Sequence, residues 1–277
     1  LIGSIIGLGI KVLAAISIFV MNIAVARILG AAEAGLFFLG FTLATMAAAI
    51  GRVGLDQTIV RFVAAQKATN SIGMLHGVYR KSIIWASLAS TGLAYLGWIN
   101  INWLIKHLFD QPGFEPVLRS FLLAIPLIAL YTMQAQALQG LRKIAKSMIT
   151  LNVIVPAALL LMMLLSPVTS ATTLVGYFNI ACLLTLGIGA VLWIQSAPLK
   201  TSKESFPSDL LRKTCMPLWA VAVLSQVVQW SSQLMLGAWS TSEEVAFFAT
   251  AQRTAMLTSF VLFAVNAIAA PKFAAMY

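Results

Sequence analysis

Two cations sit where cations are rare. Lys11 lies inside the apolar run 6–26, and Arg253 lies eight residues past Val245, within another apolar stretch. At a rise of about 1.5 Å per residue, Arg253 is roughly 12 Å into its helix. A guanidinium at that depth normally faces protein interior or a water-filled space. Amides and hydroxyls recur around these cations at helical spacing. Asn22 shares a helix face with Ser4, Gly7, Lys11 and Ala15, and Gln252, Ser259 and Asn266 repeat every seven residues. Gln226, Gln229 and Gln233 form a third stripe, and Thr132, Gln136 and Gln139 a fourth. Such groups suit sugar hydroxyls, while Lys and Arg suit phosphate oxygens. Plainer roles compete: Lys11 and Arg253 can snorkel to headgroups, Arg27 can anchor an interface, and a polar stripe can join helices to each other. Four helices with one stripe each point to a shared wet cavity.

The other chemistry-bearing residues point away from catalysis. All eight acids (Glu33, Asp56, Asp110, Glu115, Glu204, Asp209, Glu243 and Glu244) lie in loops or at the ends of apolar runs. A cation-coupled carrier is expected to use a carboxylate inside the membrane. Here the embedded charges are basic, which favours an anionic ligand. His76 and His107 fall on opposite sides of the expected membrane, and no metal-ligand spacing, phosphate loop or nucleophile elbow occurs. Neither an enzyme nor a cofactor is expected. Cys182 and Cys215 form no disulfide framework, and Cys182, within an apolar run, reads as packing.

The elements that must position these residues are membrane helices. The chain has 277 residues, 60% hydrophobic and 9% charged, with a mean hydropathy of +0.94; a soluble domain carries roughly 25% charged residues. A crossing needs about 20 apolar residues. Eight segments qualify: 6–26, 35–53, 82–104, 117–138, 145–165, 172–195, 215–236 and 246–270. The first ends at Arg27 without a small-residue cleavage site, so it is not read as a signal peptide.

The net charge of +10 resolves into topology rather than nucleic-acid binding. Arg52, Arg61, Lys67, Arg80 and Lys81 follow the second segment, Arg142, Lys143 and Lys146 the fourth, Lys200, Lys203, Arg212 and Lys213 the sixth, and Lys272 the eighth. The alternate loops hold only Arg27, Lys106 and the borderline Arg119. Positive loops stay in the cytoplasm. The expectation is therefore a multi-pass protein of the cytoplasmic membrane with a cytoplasmic N-terminus, its basic loops lying on anionic lipid. The inward segment 55–70 puts Ile59, Phe62 and Val63 at helical spacing and reads as a helical continuation or an interfacial helix.

One piece of punctuation occurs twice. Gly30 ends an apolar run, Glu33 follows, and Gly35-Leu36-Phe37-Phe38 opens the next; later Gly237, Glu244 and Ala246-Phe247-Phe248 repeat the order with four extra residues. The polar, proline-containing stretch 196–209 separates the copies. Six crossings precede it and a second set begins after it, as in transporters built from parallel repeats. The expected organisation is all-α, a polytopic helix bundle with a six-helix lobe at 1–195, a linker at 196–209 and the first two helices of a second lobe at 210–277. Gly51, Gly54, Pro126 and Pro156 are candidate bending points.

"ARILGAAEAGLFFLG" followed by "GLDQTIVRF" resembles the start of the polysaccharide and oligosaccharide-lipid flippases, in the superfamily that includes the multidrug and toxin extruders and the lipid II flippase. "AIPLIALYTMQAQALQGLRK" and "NVIVP" are similar to that family's fourth and fifth spans, and "SSQLMLGAWSTSEEVAFFATAQR" and "AVNAIAAPKFAAMY" to its seventh and eighth. The resemblance implies twelve to fourteen spans, so a chain stopping after the eighth is expected to be a fragment. It implies alternating access and a polyprenyl-diphosphate oligosaccharide as cargo. It also implies the bilayer as solvent and polysaccharide polymerase or glycosyltransferase proteins as neighbours. Lys11 and Arg253, with Asn22, Gln136, Gln226, Gln229, Gln233 and Gln252, are the expected substrate-binding set. Where the family often has an acid near the end of its seventh span, this chain has Ser232-Gln233. Two alternatives stay open, a cation-coupled drug exporter of the same superfamily and a non-transporting scaffold.

Overall fold

The computed structural model describes residues 2–109, 111, 113–198 and 206–256. Ten α-helices run in the order α1 (Ile2–Gly51), α2 (Leu55–Ala68), α3 (Ile72–Ile99), α4 (Ile101–His107), α5 (Phe114–Gly140), α6 (Ile144–Asn152), α7 (Ile154–Leu165), α8 (Ala171–Ser196), α9 (Ser208–Trp239) and α10 (Ser242–Met256). The described residues contain no strand. The protein is an all-helical bundle of membrane type.

The first two expected crossings fall in α1, and no loop separates them. Ala31, Ala32, Glu33 and Ala34 are strong helix formers and stay helical. Only Gly30 leaves helical geometry, at φ 73 and ψ 174, a region essentially reserved for glycine. The break turns the chain back on itself. Asn22 and Phe38, eight residues either side of Gly30, both touch Arg253. The arms 2–29 and 31–51 therefore form a hairpin.

Among the described helices, α1, α3, α5 and α8 are long and apolar enough to cross a membrane, and α6 with α7 adds a fifth if the bent pair is one crossing. The expected eight are reached by counting the arms of α1 separately and adding α9 and α10. Helix α9 is long enough but less apolar, and residues 257–270 of the last expected segment lie outside the described residues. So do Asp110, Lys200, Lys203, Glu204, Ser259, Asn266 and Lys272. The 41° bend between α6 and α7 falls at Val153. Pro156 causes it, because a proline ring clashes with the carbonyl four residues back, here Asn152.

Helix α5 is the spine. It packs against α1, α2, α3, α6 and α8, and 16 of its 27 residues are buried, so both of its faces carry apolar side chains. Segment 55–68 forms α2 as expected, with Ile59, Phe62 and Val63 buried. Its neighbours are α5, α3 and α9, so the helix docks on the bundle. The turn before it carries Val53 at φ 51 and Gly54 at φ 68. A Cβ on Gly54 would overlap the backbone of α9 at Cys215 and Trp219.

The loops sort into two ends. Lys67 Nζ donates to the Leu141 carbonyl, Lys81 Nζ to the Phe206 carbonyl and Ser208, and Lys146 Nζ to Ser196. All belong to the basic loops. At the opposite end the Ala171 N–H donates to Glu33 and the Gln111 amide donates to the Ser240 carbonyl.

Candidate functional site

Arg253 is aimed by the helix that carries it. Val245, Ala246 and Ala249 form the buried face of α10, and Arg253 follows Ala249 by four residues, on the same face. That face packs on the hairpin of α1. Small side chains allow a close approach, and at the top a Cβ on Gly35 would overlap the Ser242 carbonyl.

The guanidinium therefore lands between the arms. Its Nη1 donates to Asn22 Oδ1 at 2.7 Å. Its carbon stands 4.0 Å from the ring centroid of Phe38 and 5.7 Å from that of Phe41. No acid lies within the apolar runs to pair with this cation, and the structure gives it an amide and two aromatic faces instead. Among the described residues no carboxylate pairs with Arg253, and Asn22 is its one hydrogen-bond acceptor. A guanidinium has five N–H donors, and among the described residues one of them is used. Cation–π contact over a desolvated ring is worth about 2 kcal/mol and holds the charge without neutralising it.

Gln233 joins the group from α9. It is 1% exposed, and its Nε2 donates to the Phe38 carbonyl at 3.1 Å. The same carbonyl accepts from Thr42 Oγ1 at 2.9 Å. Phe38 is thus the meeting point, with its ring under Arg253 and its carbonyl under Gln233. The Oε1 of Gln233 is buried without a hydrogen-bond partner among the described residues.

The remaining expected site residues are placed elsewhere. Lys11 is exposed on the first arm of α1, about 16 Å along the helix from Asn22 at 1.5 Å per residue. Gln226 accepts from Trp230 on its own helix. Gln229 is exposed, and Gln136 and Gln252 are half-buried. Four cavities among the described residues are lined by other side chains. One of them, about 750 Å³, lies beside the hairpin under Ala26, Ala34, Thr250 and Thr254.

Phe38, Phe41 and Thr42 were missed. The only trace of them in the sequence is the repeated Phe-Phe after each glycine, which reads equally well as core.

A family model described as polysaccharide biosynthesis protein matches residues 2–276. No curated protein and no solved structure matches the chain.

Proposed function

The chain belongs to the polysaccharide biosynthesis protein family, and from that premise we propose that it moves a polyprenyl-diphosphate-linked oligosaccharide across the cytoplasmic membrane by alternating access. The observation that carries this reading is Arg253, a cation inside the bundle held by Asn22 and Phe38 with no carboxylate on it among the described residues. A diphosphate is the complementary ligand. Its oxygens take parallel N–H donors from a guanidinium, and taking the anion out of water costs less beside a fixed positive charge. The Asn22 amide orients the fork, so little side-chain freedom is lost when the anion binds.

In the transport cycle the diphosphate enters from the basic end, meets Lys11, and passes to Arg253. Amide side chains along α9 and α10 contact the glycan hydroxyls, and the polyprenyl tail stays in lipid. The region 1–195 and the region from 210 onward rock against each other about the surface where α9 and α10 meet α1. Acids confined to loops and helix ends favour this cargo over a cationic drug.

The test is a substitution series in cells that depend on the protein for surface polysaccharide. Arg253→Ala abolishes export while membrane abundance stays near normal. Arg253→Lys keeps partial export, because charge survives and the planar fork does not. Arg253→Glu is worse than Ala. Normal export in both the Ala and the Glu variants sinks the reading.

A further inference from the structure

Helices α3 and α8 both pack on α5, yet their backbones do not contact each other. A groove is left between them, floored by Leu130 and Gln134 of α5. Its deeper part, about 500 Å³, is walled by Ile83, Leu183, Leu186 and Gly187. At the basic end it continues, past the shared Ile83, into a cavity of about 460 Å³ lined by His76, Tyr79, Arg80 and Trp193. From Ile194 to Leu183 the groove follows eleven residues of α8, about 16 Å at helical rise. That matches one leaflet's share of a hydrocarbon core about 30 Å thick.

The mouth is built for a headgroup. Tyr79 and Trp193 stack across it at 4.1 Å with planes 12° apart, the amphipathic rings that sit at a membrane interface. The His76 ring meets Trp193 edge-on, and its Nε2–H donates to the Pro198 carbonyl. Beside them Arg80 is exposed, and among the described residues it makes no hydrogen bond or ion pair. Lys81 and Lys146 flank the mouth, and among the described residues their partners are neutral oxygens. The described ion pairs use Arg52, Arg119 and Arg212.

We propose that this groove is a binding site for an anionic phospholipid, with its phosphate on Arg80 at the Tyr79–Trp193 platform and one acyl chain along α8 as far as Leu183. The charge selects an anionic headgroup, and the slot selects a lipid over a free phosphate. The site shares no residue with the group around Arg253 and does not depend on how that group is used.

Two substitutions test head and tail separately, both at exposed positions. Arg80 is exposed, and a Cβ on Gly187 has nothing within 4 Å, so Gly187→Leu fills the slot alone. The chain is purified in detergent, stripped of lipid, and titrated with dioleoyl phosphatidylglycerol, dioleoyl phosphatidylcholine or inorganic phosphate. Native mass spectrometry and melting temperature are the readouts. Phosphatidylglycerol binds and raises the melting temperature, and the other two do not. Arg80→Gln weakens that binding roughly fivefold, the worth of one basic side chain at an anionic surface. Gly187→Leu abolishes bound lipid. Equal binding of phosphatidylcholine, an equal response to inorganic phosphate, or undiminished phosphatidylglycerol binding in both variants overturns the proposal.

Discussion

Arg253 could serve as a strut between helices or as a cation waiting for an anion, and Asn22 separates the two. Replacing Asn22 by Asp puts a carboxylate on the guanidinium, turning a neutral hydrogen bond into a charge-assisted one. If the cation serves the cargo, the carboxylate competes with it. Asn22→Asp is then expected to raise the melting temperature in detergent and to reduce polysaccharide export at least tenfold. Asn22→Ala, which removes one hydrogen bond worth about 1 kcal/mol, should lower the melting temperature and leave more export than Asp does. A higher melting temperature with full export in the Asp variant would make Arg253 a strut. Gln233 is a different case. Buried against the Phe38 carbonyl, it joins α9 to α1, so Gln233→Leu should cost about 0.6 kcal/mol, the average for such bonds in membranes.

The glycine that folds α1 supports a prediction about the helix itself. At φ 73 and ψ 174, any Cβ at position 30 is strained by about 1–3 kcal/mol, although the surrounding space is open. Gly30→Ala should therefore lower the melting temperature. Gly9→Ala, in the same helix with nothing near its Cβ, should be neutral or stabilising, because Ala is favoured in a helix interior by about 1 kcal/mol. Equal effects at both positions would mean that Gly30 is not the hinge. The two copies of the repeated motif also divide their labour. Glu244 closes a capping box on Thr241 at the start of its own helix, each side chain reaching the other's backbone N–H. Glu33 sits in the first turn of the second arm of α1, and its carboxylate reaches instead the N-terminus of α8, where it accepts from the Ala171 N–H at 2.7 Å. There the helix dipole favours a negative charge. Position in the repeat is shared; the bond each acid makes is not.

The sorting of loops into two ends leads to a prediction about the protein in its membrane. The charge of the end carrying Lys67, Lys81 and Lys146 predicts that it faces the cytoplasm. Single cysteines at Pro167 and Glu243 should then react with an impermeant maleimide added to intact cells, and one at Lys143 should not. All three positions are exposed, while the native Cys182 and Cys215 are buried, which keeps background labelling low. Reversed labelling would invert the topology and, with it, the direction of entry proposed for the cargo.

Much of this was legible in the chain before any fold was known. Apolar runs and basic loops are properties of each stretch alone, and the bilayer reads them one stretch at a time. The same holds for α2, whose Ile59, Phe62 and Val63 carry their helical spacing wherever the helix docks. The position of Arg253 along its helix follows from counting residues; its face, shared with the buried Val245 and Ala249, came from the packing of α10. The partners of that arginine are another matter. Asn22 lies 231 residues away, and nothing in either stretch names the other, since an amide and an aromatic face are generic partners where an opposite charge would have been a specific one. Likewise Gln226, Gln229 and Gln233 look alike on a helical wheel. Contact with the second arm of α1 buries Gln233 and leaves Gln229 exposed. Gly30 shows the boundary most plainly. Its type announces a break, but that α10 packs on the resulting hairpin and bridges its arms through one guanidinium is a matter of tertiary structure.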